Sequence, residues 1–372
     1  MNRTSPPSTA AEVVAADLEA ICDALGDDLK KLNGARLLII GGAGFLGHYL
    51  VQAAVAAGGR LSNGLEVTVF DNFIRGVPRW LSQCAEADQV VLTRHDITEH
   101  LPSDIGEFDY IIHAASIASP TFYRKFPIET MDANVNGLRT LLDYATSPLG
   151  TKLRGLLYFS TSEIYGDPDA ASIPTPESYR GLVSCTGPRA CYDESKRYGE
   201  TLCTNFAKHR GVPVAMARPF NNYGPGLKLT DRRIIPDLIT DVLAGRDLTL
   251  LSDGKPTRTF CYVADAVAGY FKIMLRGRPG EPYNIGMETP EISMRQLAEG
   301  IASAAQEIFA YTGNVVLAES DESDYLTDNP NRRCPDITKA REELDFDPMV
   351  GLEEGLRRSL IWYRENQDGE AE

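Results

Sequence analysis

The hydrophobic positions of this chain fall into short apolar runs that alternate with longer amphipathic stretches. The apolar runs are Leu37–Ile40, Val67–Phe70, Val90–Thr93, Tyr110–His113 and Leu156–Ser160. Runs of this length predict buried strands, and the stretch Phe45–Ala57 after the first of them predicts a helix. Strands that alternate with helices are typical of a parallel sheet with helices on both faces. We therefore predict an α/β fold built on a doubly wound parallel sheet of the Rossmann type.

The N-terminal part of the chain departs from this pattern. Residues 1–10 are polar and rich in proline and serine, which predicts a disordered tail. Apolar residues then recur every three or four positions from Val14 to Leu32, which predicts an amphipathic helix or a pair of helices. We expect this segment to pack on the main body or on a dimer partner, and a regulatory arm is the alternative.

Beyond Arg218 the alternation loosens into segments interrupted by proline and glycine. This change predicts a smaller lobe of mixed α/β structure over the carboxyl edge of the sheet, where doubly wound folds bind their ligands. The predicted organisation is an extension over residues 1–33, a cofactor-binding domain with the catalytic residues over 34–218, and a lobe over 219–372 that mainly binds substrate.

Composition and charge narrow the classes of partner. With 37 basic and 52 acidic residues the net charge is −15, which argues against nucleic acid or an anionic membrane as a partner. We find no apolar run long enough to cross a bilayer and no signal peptide. The seven cysteines and five histidines lack metal-ligand spacing. We expect a cytoplasmic protein with reduced thiols and without a bound metal, in which an anionic substrate would need a local cluster of arginines.

Three glycines follow the first predicted strand and open the first predicted helix: Gly41, Gly44 and Gly47. A dinucleotide requires such a loop because its pyrophosphate needs a tight turn, a close approach of the backbone and a helix N-terminus aimed at the anion. The context of strand, loop and helix therefore predicts a dinucleotide site.

Two aspartates after the next predicted strands refine the choice of cofactor. Asp71 can accept hydrogen bonds from the adenosine ribose and would repel a 2′-phosphate, which favours NAD over NADP, although Arg75 close by weakens that preference. Asp96 is placed to meet the adenine, and a helix cap or a loop salt bridge is the alternative role.

A tyrosine and a lysine four residues apart supply the candidate chemistry. Tyr192 and Lys196 would lie on one face of a helix. Tyrosine, with an ordinary pKa of about 10, is a poor base at neutral pH, and we expect the charge of Lys196 to lower that pKa while the lysine also holds the nicotinamide ribose. Ser162, at the end of a predicted strand, can stabilise a developing alkoxide. The set predicts an enzyme that uses a nicotinamide cofactor on a hydroxyl or a ketone.

Charged residues near this set hint at a further step. Glu163 has no role in simple hydride transfer, so it indicates a second chemical step, unless it is a surface glutamate at the strand end. The predicted lobe also carries candidate clamps for a diphosphate or a carboxylate, of which we favour two or three as ligands. These are Arg232, Arg233, Arg258, Arg332 and Arg333.

Longer strings carry a family resemblance. They include STSEIYGDP at 160–168, GPRACYDESKR at 187–197, TRTFCYVAD at 257–265 and RRCPDITKA at 332–340. On these residues the chain resembles the extended short-chain dehydrogenase/reductase superfamily and, within it, the UDP-glucuronic acid decarboxylases, also called UDP-xylose synthases. The likeness runs from about Arg36 to Tyr363.

The resemblance implies a mechanism and a homodimer. Tyr192 would take the C4 hydroxyl proton of UDP-glucuronic acid while NAD accepts the C4 hydride, and carbon dioxide would leave the resulting β-keto acid. Ser162 would stabilise the enolate, and Glu163 and Arg258 would serve decarboxylation and protonation at C5. Reduction at C4 would then give UDP-xylose, or the UDP-4-keto-pentose would be released.

The resemblance also implies the remaining binding residues. For the cofactor these are Phe45, Leu46, Asn72, Ile97, Ala114, Ala115 and Pro219, besides the residues already named. For the nucleotide sugar they are Ser119, Tyr123, Asn221, Arg233, Arg258 and Arg333.

Two alternatives differ in the chemistry at Ser162 and Glu163. Hexose 4,6-dehydratases carry an aspartic acid where this chain has Ser162, and 4-epimerases usually lack the glutamate, so a dehydratase or an epimerase is the second hypothesis. A non-catalytic dinucleotide sensor of the same fold is the third, and such proteins typically lack the tyrosine or the lysine.

Overall fold

The computed structural model describes residues 6–318 and 330–367. Its strands are β1 Ala35–Ile40, β2 Leu65–Asp71, β3 Val91–Arg94, β4 Tyr110–His113, β5 Gly155–Phe159, β6 Val214–Pro219, β7 Asn222–Tyr223, β8 Leu248–Leu250, β9 Thr257–Arg258, β10 Cys261–Tyr262, β11 Pro282–Ile285, β12 Ile292–Ser293, β13 Val315–Leu317 and β14 Arg332–Arg333. Its α-helices are α1 Ala10–Leu25, α2 Phe45–Gly59, α3 Arg79–Glu86, α4 Pro120–Lys125, α5 Pro127–Asp132, α6 Leu138–Thr146, α7 Ala190–Arg210, α8 Ile234–Leu243, α9 Val263–Arg276, α10 Met294–Phe309, α11 Thr338–Leu344 and α12 Leu352–Glu365.

A seven-stranded parallel sheet in the order β11-β6-β5-β4-β1-β2-β3 forms the centre of the molecule. Successive side chains of a strand point to opposite faces. Leu37 and Ile39 of β1 accordingly join one hydrophobic core, and Leu38 and Ile40 join a second core on the other face. The predicted doubly wound parallel sheet is confirmed, and the predicted strands match the observed bounds to within two residues.

The sheet also recruits elements from beyond Arg218. Strand β11 pairs with β6, and helix α9 packs against β5, β6 and β11. The small sheets of the C-terminal part include β12-β9-β14, in which Arg333 lies in register with Arg258. The three-part division predicted from the sequence stays a prediction.

The N-terminal extension is helical and packs on the main body. Helix α1 begins after Thr9, whose hydroxyl accepts a hydrogen bond from the backbone of Glu12, and it packs against α2, α9 and α12. The predicted disordered tail is therefore wrong at Ser8–Ala10, because this capping box orders the chain there. The part of that prediction on residues 1–5 lies outside the described residues. A 3-10 helix over Gly26–Leu32 follows α1.

Candidate active site

A cavity of about 1130 Å³ lies at the carboxyl ends of the parallel strands, beneath the small sheets of the C-terminal part. With the exception of Arg332, the residues that the sequence singled out for the site line it. These are Gly41, Gly44, Phe45, Leu46, Gly47, Asp71, Asn72, Asp96, Ile97, Ala114, Ala115, Ser119, Tyr123, Ser162, Glu163, Tyr192, Lys196, Pro219, Asn221, Arg233, Arg258 and Arg333. The fold thus brings the predicted cofactor loop, the tyrosine–lysine pair and the arginines to one space.

The glycines of the loop stand where a side chain would collide with neighbouring backbone. Gly41 has φ +84°, and a Cβ there would lie 2.5 Å from the backbone nitrogen of Ala115. A Cβ on Gly47 would lie 2.2 Å from the carbonyl oxygen of Gly42, so the loop can pack against α2 only as glycine. Gly44 is the N-cap residue of α2, which places the positive end of that helix at the cavity. These residues fit a dinucleotide.

Asp71 and Asp96, which were predicted to contact the adenosine, already accept hydrogen bonds from other groups of the protein. The carboxylate of Asp71 accepts hydrogen bonds from the backbone of Ala43 at 3.0 Å and of Phe73 at 2.8 Å, and burial raises its pKa. It thereby holds the glycine loop against β2. Asp96 accepts hydrogen bonds from Thr98 and from the amide of Asn72, and its contact with the adenine stays a prediction.

Arg75 turns away from Asp71. Its guanidinium pairs with Asp231 at 2.7 Å and lies 5.5 Å from the ring centre of Phe122. Asp231 also accepts a hydrogen bond from the hydroxyl of Ser119 at its carbonyl oxygen, at 2.8 Å. Arg75 therefore joins the loop after β2 to the C-terminal part across the cavity wall.

Tyr192 and Lys196 are both buried on helix α7. The ammonium of Lys196 donates a hydrogen bond to the carbonyl of Phe159 at 2.7 Å and lies 5.8 Å from the ring centre of Tyr192. Burial lowers the pKa of Lys196 to about 7 and raises the pKa of Tyr192 to about 12. The pKa of Tyr192 thus lies above its ordinary value because burial disfavours the phenolate, and the effect expected of Lys196 on it stays a prediction. A hydrogen bond with the Thr161 side chain and the charge of Arg233 oppose the effect of burial.

Glu163 is held between two guanidinium groups. Arg333 donates two hydrogen bonds to it, at 2.7 and 2.5 Å, and Arg189 pairs with its Oε2 at 2.5 Å. Burial alone would raise the pKa of Glu163, but the charges of Arg189, Arg333 and Arg258 outweigh it and lower the pKa to about 2. Glu163 is therefore an ionised residue of the cavity wall and not a solvent-exposed strand end.

The remaining arginines of the predicted set divide between the cavity and the outer surface. Arg258 donates hydrogen bonds to the carbonyls of Thr257 and Asn331. Its pKa is lowered to about 9, chiefly by burial and secondly by the positive charge of the nearby Arg333. Arg233 donates to the carbonyl of Ala118 at 3.2 Å. Arg332 instead pairs with Glu291 at 2.7 Å, because neighbouring residues of β14 point to opposite faces.

Two residues of the site were not singled out from the sequence. Thr161 forms a hydrogen bond with Tyr192, and Arg189 pairs with Glu163. Both lie within strings that carried the resemblance, and Arg189 precedes the tyrosine by three residues. The available signal was their position in the sequence, since Arg189 is close to Tyr192 and Thr161 is next to Ser162.

The described residues contain no helix with the length and apolar character needed to span a membrane. In the same part of the chain no group of histidine, cysteine and acidic side chains is arranged to hold a metal ion. The described cysteines are free thiols.

Comparisons with known proteins agree with this geometry. Residues 37–286 match the NAD dependent epimerase/dehydratase family. The chain is 39% identical over 324 residues to UDP-glucuronic acid decarboxylase 5 of Arabidopsis thaliana, covering 87% of this chain and 88% of the relative. It is 36% identical over 345 residues to UDP-glucuronic acid decarboxylase 1 of Xenopus tropicalis, covering 92% of this chain and 75% of the relative.

Solved structures of similar fold come from the same family. A dTDP-glucose 4,6-dehydratase of Streptomyces venezuelae with bound NAD superposes with a TM-score of 0.76 at 27% identity, covering 90% of this chain and 98% of that one. A UDP-glucose 4-epimerase of Thermotoga maritima with bound UDP-glucose gives a TM-score of 0.74 at 25% identity, covering 89% of this chain and 99% of that one. The chain therefore belongs to the NAD-dependent epimerase/dehydratase family and, within it, to the group that includes the UDP-glucuronic acid decarboxylases.

Proposed function

We propose that this protein is an NAD-dependent decarboxylase of a nucleotide-linked hexuronic acid, with UDP-glucuronic acid as substrate. The observation that carries the proposal is the set of Arg233, Arg258 and Arg333 in the cavity that also contains Tyr192. In a protein of net charge −15 this set of arginines is a local anion site, in which Arg333 already binds a carboxylate, that of Glu163. A sugar that carries both a carboxylate and a diphosphate matches it.

The chain's own residues can carry each proton of the reaction. When bound in the cavity, NAD would supply the two-electron acceptor for oxidation at C4 of the sugar and the hydride for the final reduction. Tyr192 takes the C4 hydroxyl proton in its phenolate form, which the hydrogen bond with Thr161 and the charge of Arg233 stabilise, and as neutral tyrosine it later returns that proton. The 4-keto sugar is a β-keto acid, so the bond from C5 to the carboxyl carbon breaks and its electron pair moves into the ketone. Ser162 donates a hydrogen bond to the enolate oxygen.

Protonation at C5 completes the decarboxylation. Arg258 is the proposed donor, because a lowered pKa makes its guanidinium a stronger acid than an exposed arginine. Glu163 stays ionised and orients the arginines around the leaving carboxylate. The products are carbon dioxide and UDP-xylose, or the UDP-4-keto-pentose if the last reduction is slow.

The alternative chemistry of a 4,6-dehydratase needs an acid that protonates the C6 hydroxyl as it leaves. The hydroxyl of Ser162 is too weak an acid for that step, and Glu163, with a pKa of about 2, is ionised at neutral pH. Dehydration is therefore the weaker candidate. A 4-epimerase would be distinguished from a decarboxylase by its product, because it would return the uronic acid with its carboxylate intact.

The test is to incubate the purified protein with UDP-glucuronic acid, with and without added NAD, and to measure carbon dioxide and the sugar product by mass and NMR. We expect UDP-xylose or the 4-keto-pentose to form. Glu163→Gln should impair carbon dioxide release more than C4 oxidation, and Glu307→Gln on the exposed side of α10 is the matched control. An epimerised or unchanged acid in the wild-type reaction would reject the proposal.

We also infer a cytoplasmic homodimer. The neighbouring helices α5 and α7 expose Ile128 by 59% and Tyr198 by 51%, and exposed apolar residues of this size favour a protein contact. Light scattering after size exclusion should give twice the mass of the chain. A monomer mass at micromolar concentration would count against this inference.

A further inference from the structure

The arginine just before helix α7 is not used in any step of the proposed reaction, although it is buried in the cavity wall. Arg189 is the N-cap residue of α7, and its carbonyl accepts hydrogen bonds at 3.0 Å from the backbone of Tyr192 and of Asp193. Its position is therefore tied to the first turn of the helix that carries the tyrosine. Its side chain is buried and lines the cavity.

The guanidinium of Arg189 connects the carboxylate of Glu163 with the aromatic groups at the reacting centre. It lies 2.5 Å from Oε2 of Glu163 and 5.9 Å from the ring centre of Tyr123. Tyr123 in turn stacks on Tyr192, with ring centres 5.0 Å apart and an angle of 9° between the planes. The carboxylate of Asp193 lies 3.9 Å from Nε of Arg189. One side chain thus contacts the glutamate and the ring that stacks on the tyrosine.

The two arginines that hold Glu163 come from different parts of the fold. Arg333 belongs to β14 in the C-terminal part and binds both carboxylate oxygens, whereas Arg189 belongs to the sheet domain and binds one. If the diphosphate or carboxylate of a ligand bound Arg333, Glu163 would lose that ion pair. Arg189 is the other residue observed in an ion pair with Glu163. Without Arg189, a buried carboxylate would then lack a paired charge, which is costly.

We propose that Arg189 is a positioning residue that anchors the Glu163 carboxylate to the helix carrying Tyr192, so that Arg333 can turn to the substrate. The inference rests on the proposed function, because the step it serves is decarboxylation. Charged and titratable groups face Glu163 from several elements. They are Arg189 before α7, Tyr192 and Asp193 on α7, Tyr123 on α4, Arg258 on β9 and Arg333 on β14.

The pH dependence expected for loss of Arg189 follows from the charges around Glu163. Burial raises the pKa of the carboxyl, and the charge of Arg189 is the largest of those that lower it to about 2. Removal of Arg189 should therefore raise this pKa. Since the ionised form is the working form, activity should be lost at a higher pH on acidification than in the wild type.

The experiment compares Arg189→Met and Arg189→Lys with Arg210→Met, which changes an exposed arginine at the other end of α7. For each protein we would measure kcat and KM for carbon dioxide release across the acidic to neutral range, and the absorbance of reduced nicotinamide in a single turnover. Arg189→Met should lower kcat about 10- to 100-fold with little change in KM. This variant should also accumulate reduced nicotinamide in the single turnover, and its kcat should fall at a higher pH on acidification than that of the wild type. Arg189→Lys should restore part of kcat, because it keeps the charge but not the fork geometry.

Other outcomes would overturn the inference. A raised KM with unchanged kcat would make Arg189 a substrate ligand, and parameters equal to those of Arg210→Met would remove any role. A wild-type protein that releases no carbon dioxide would reject the proposed function instead. In that case the inference about Arg189 can still be tested by acid unfolding of the substrate-free protein. Arg189→Met should unfold at a higher pH than the wild type, whereas coincident unfolding curves of the two proteins would refute the anchoring of Glu163.

Discussion

The buried aspartate of the N-terminal helix offers a sharp test of how the extension is attached. Asp17 of α1 is fully buried. Its carboxylate accepts hydrogen bonds from the hydroxyls of Tyr49 at 2.5 Å and Tyr262 at 2.7 Å, and from Arg358 at 2.7 Å. These partners belong to α2, β10 and α12, so one carboxylate links the extension to three elements of the main body.

The magnitude of an Asp17→Ala change follows from the groups it leaves behind. Removing one partner of a buried ion pair costs about 3–5 kcal/mol, because the other charge stays buried without compensation. Arg358 is 18% exposed and keeps its pair with Glu354 at 2.7 Å, so we expect a value near the lower end, about 3 kcal/mol. For a chain of 372 residues this corresponds to a melting temperature lower by about 4 °C.

The assay is thermal and urea unfolding followed by circular dichroism, with Asp23→Ala as the control on the same helix. Asp23 pairs with Arg60 at 2.6 Å, but the two side chains are 66% and 38% exposed, so its loss should cost less than about 1 kcal/mol. If Asp17→Ala were no more destabilising than Asp23→Ala, the argument that Asp17 anchors the extension would be refuted.

Three further changes test the cavity. Tyr192→Phe should reduce turnover by about 10²–10⁴-fold while NAD content after gel filtration stays at the wild-type level, and near-normal turnover would mean that another group is the base. Gly41→Ala should cost more than about 1 kcal/mol of unfolding free energy and reduce bound NAD, because its φ is +84° and the new methyl would meet Ala115; unchanged values by calorimetry would contradict the loop geometry. Arg75→Ala should speed NAD dissociation by about 1.5- to 5-fold, since a partly exposed pair such as that with Asp231 contributes about 0.2–1 kcal/mol, and a stopped-flow rate equal to wild type would show that this contact does not retain the cofactor.

Local patterns were enough to predict the framework. Apolar runs located β1 to β5, five of the seven strands of the sheet, because a strand buried on both faces must be apolar along its whole length. Strands β6 and β11 were not predicted. The glycines at 41, 44 and 47 were recognisable because their role depends on backbone geometry that other residues cannot adopt. The spacing of Tyr192 and Lys196 placed both on one helical face, and α7 has them there.

The amino-acid sequence by itself therefore determined the parallel sheet type and five of its strands, the dinucleotide loop and the residue types at the reacting end. Only the tertiary structure decided that Asp17 lies at the centre of the buried face of α1, that Glu163 is paired with Arg189 and Arg333, and that Tyr192 has a raised pKa. Glu163 and Arg333 are 170 positions apart in the chain. Burial and charge pairing depend on distances between such remote elements, and no local period or spacing encodes those distances.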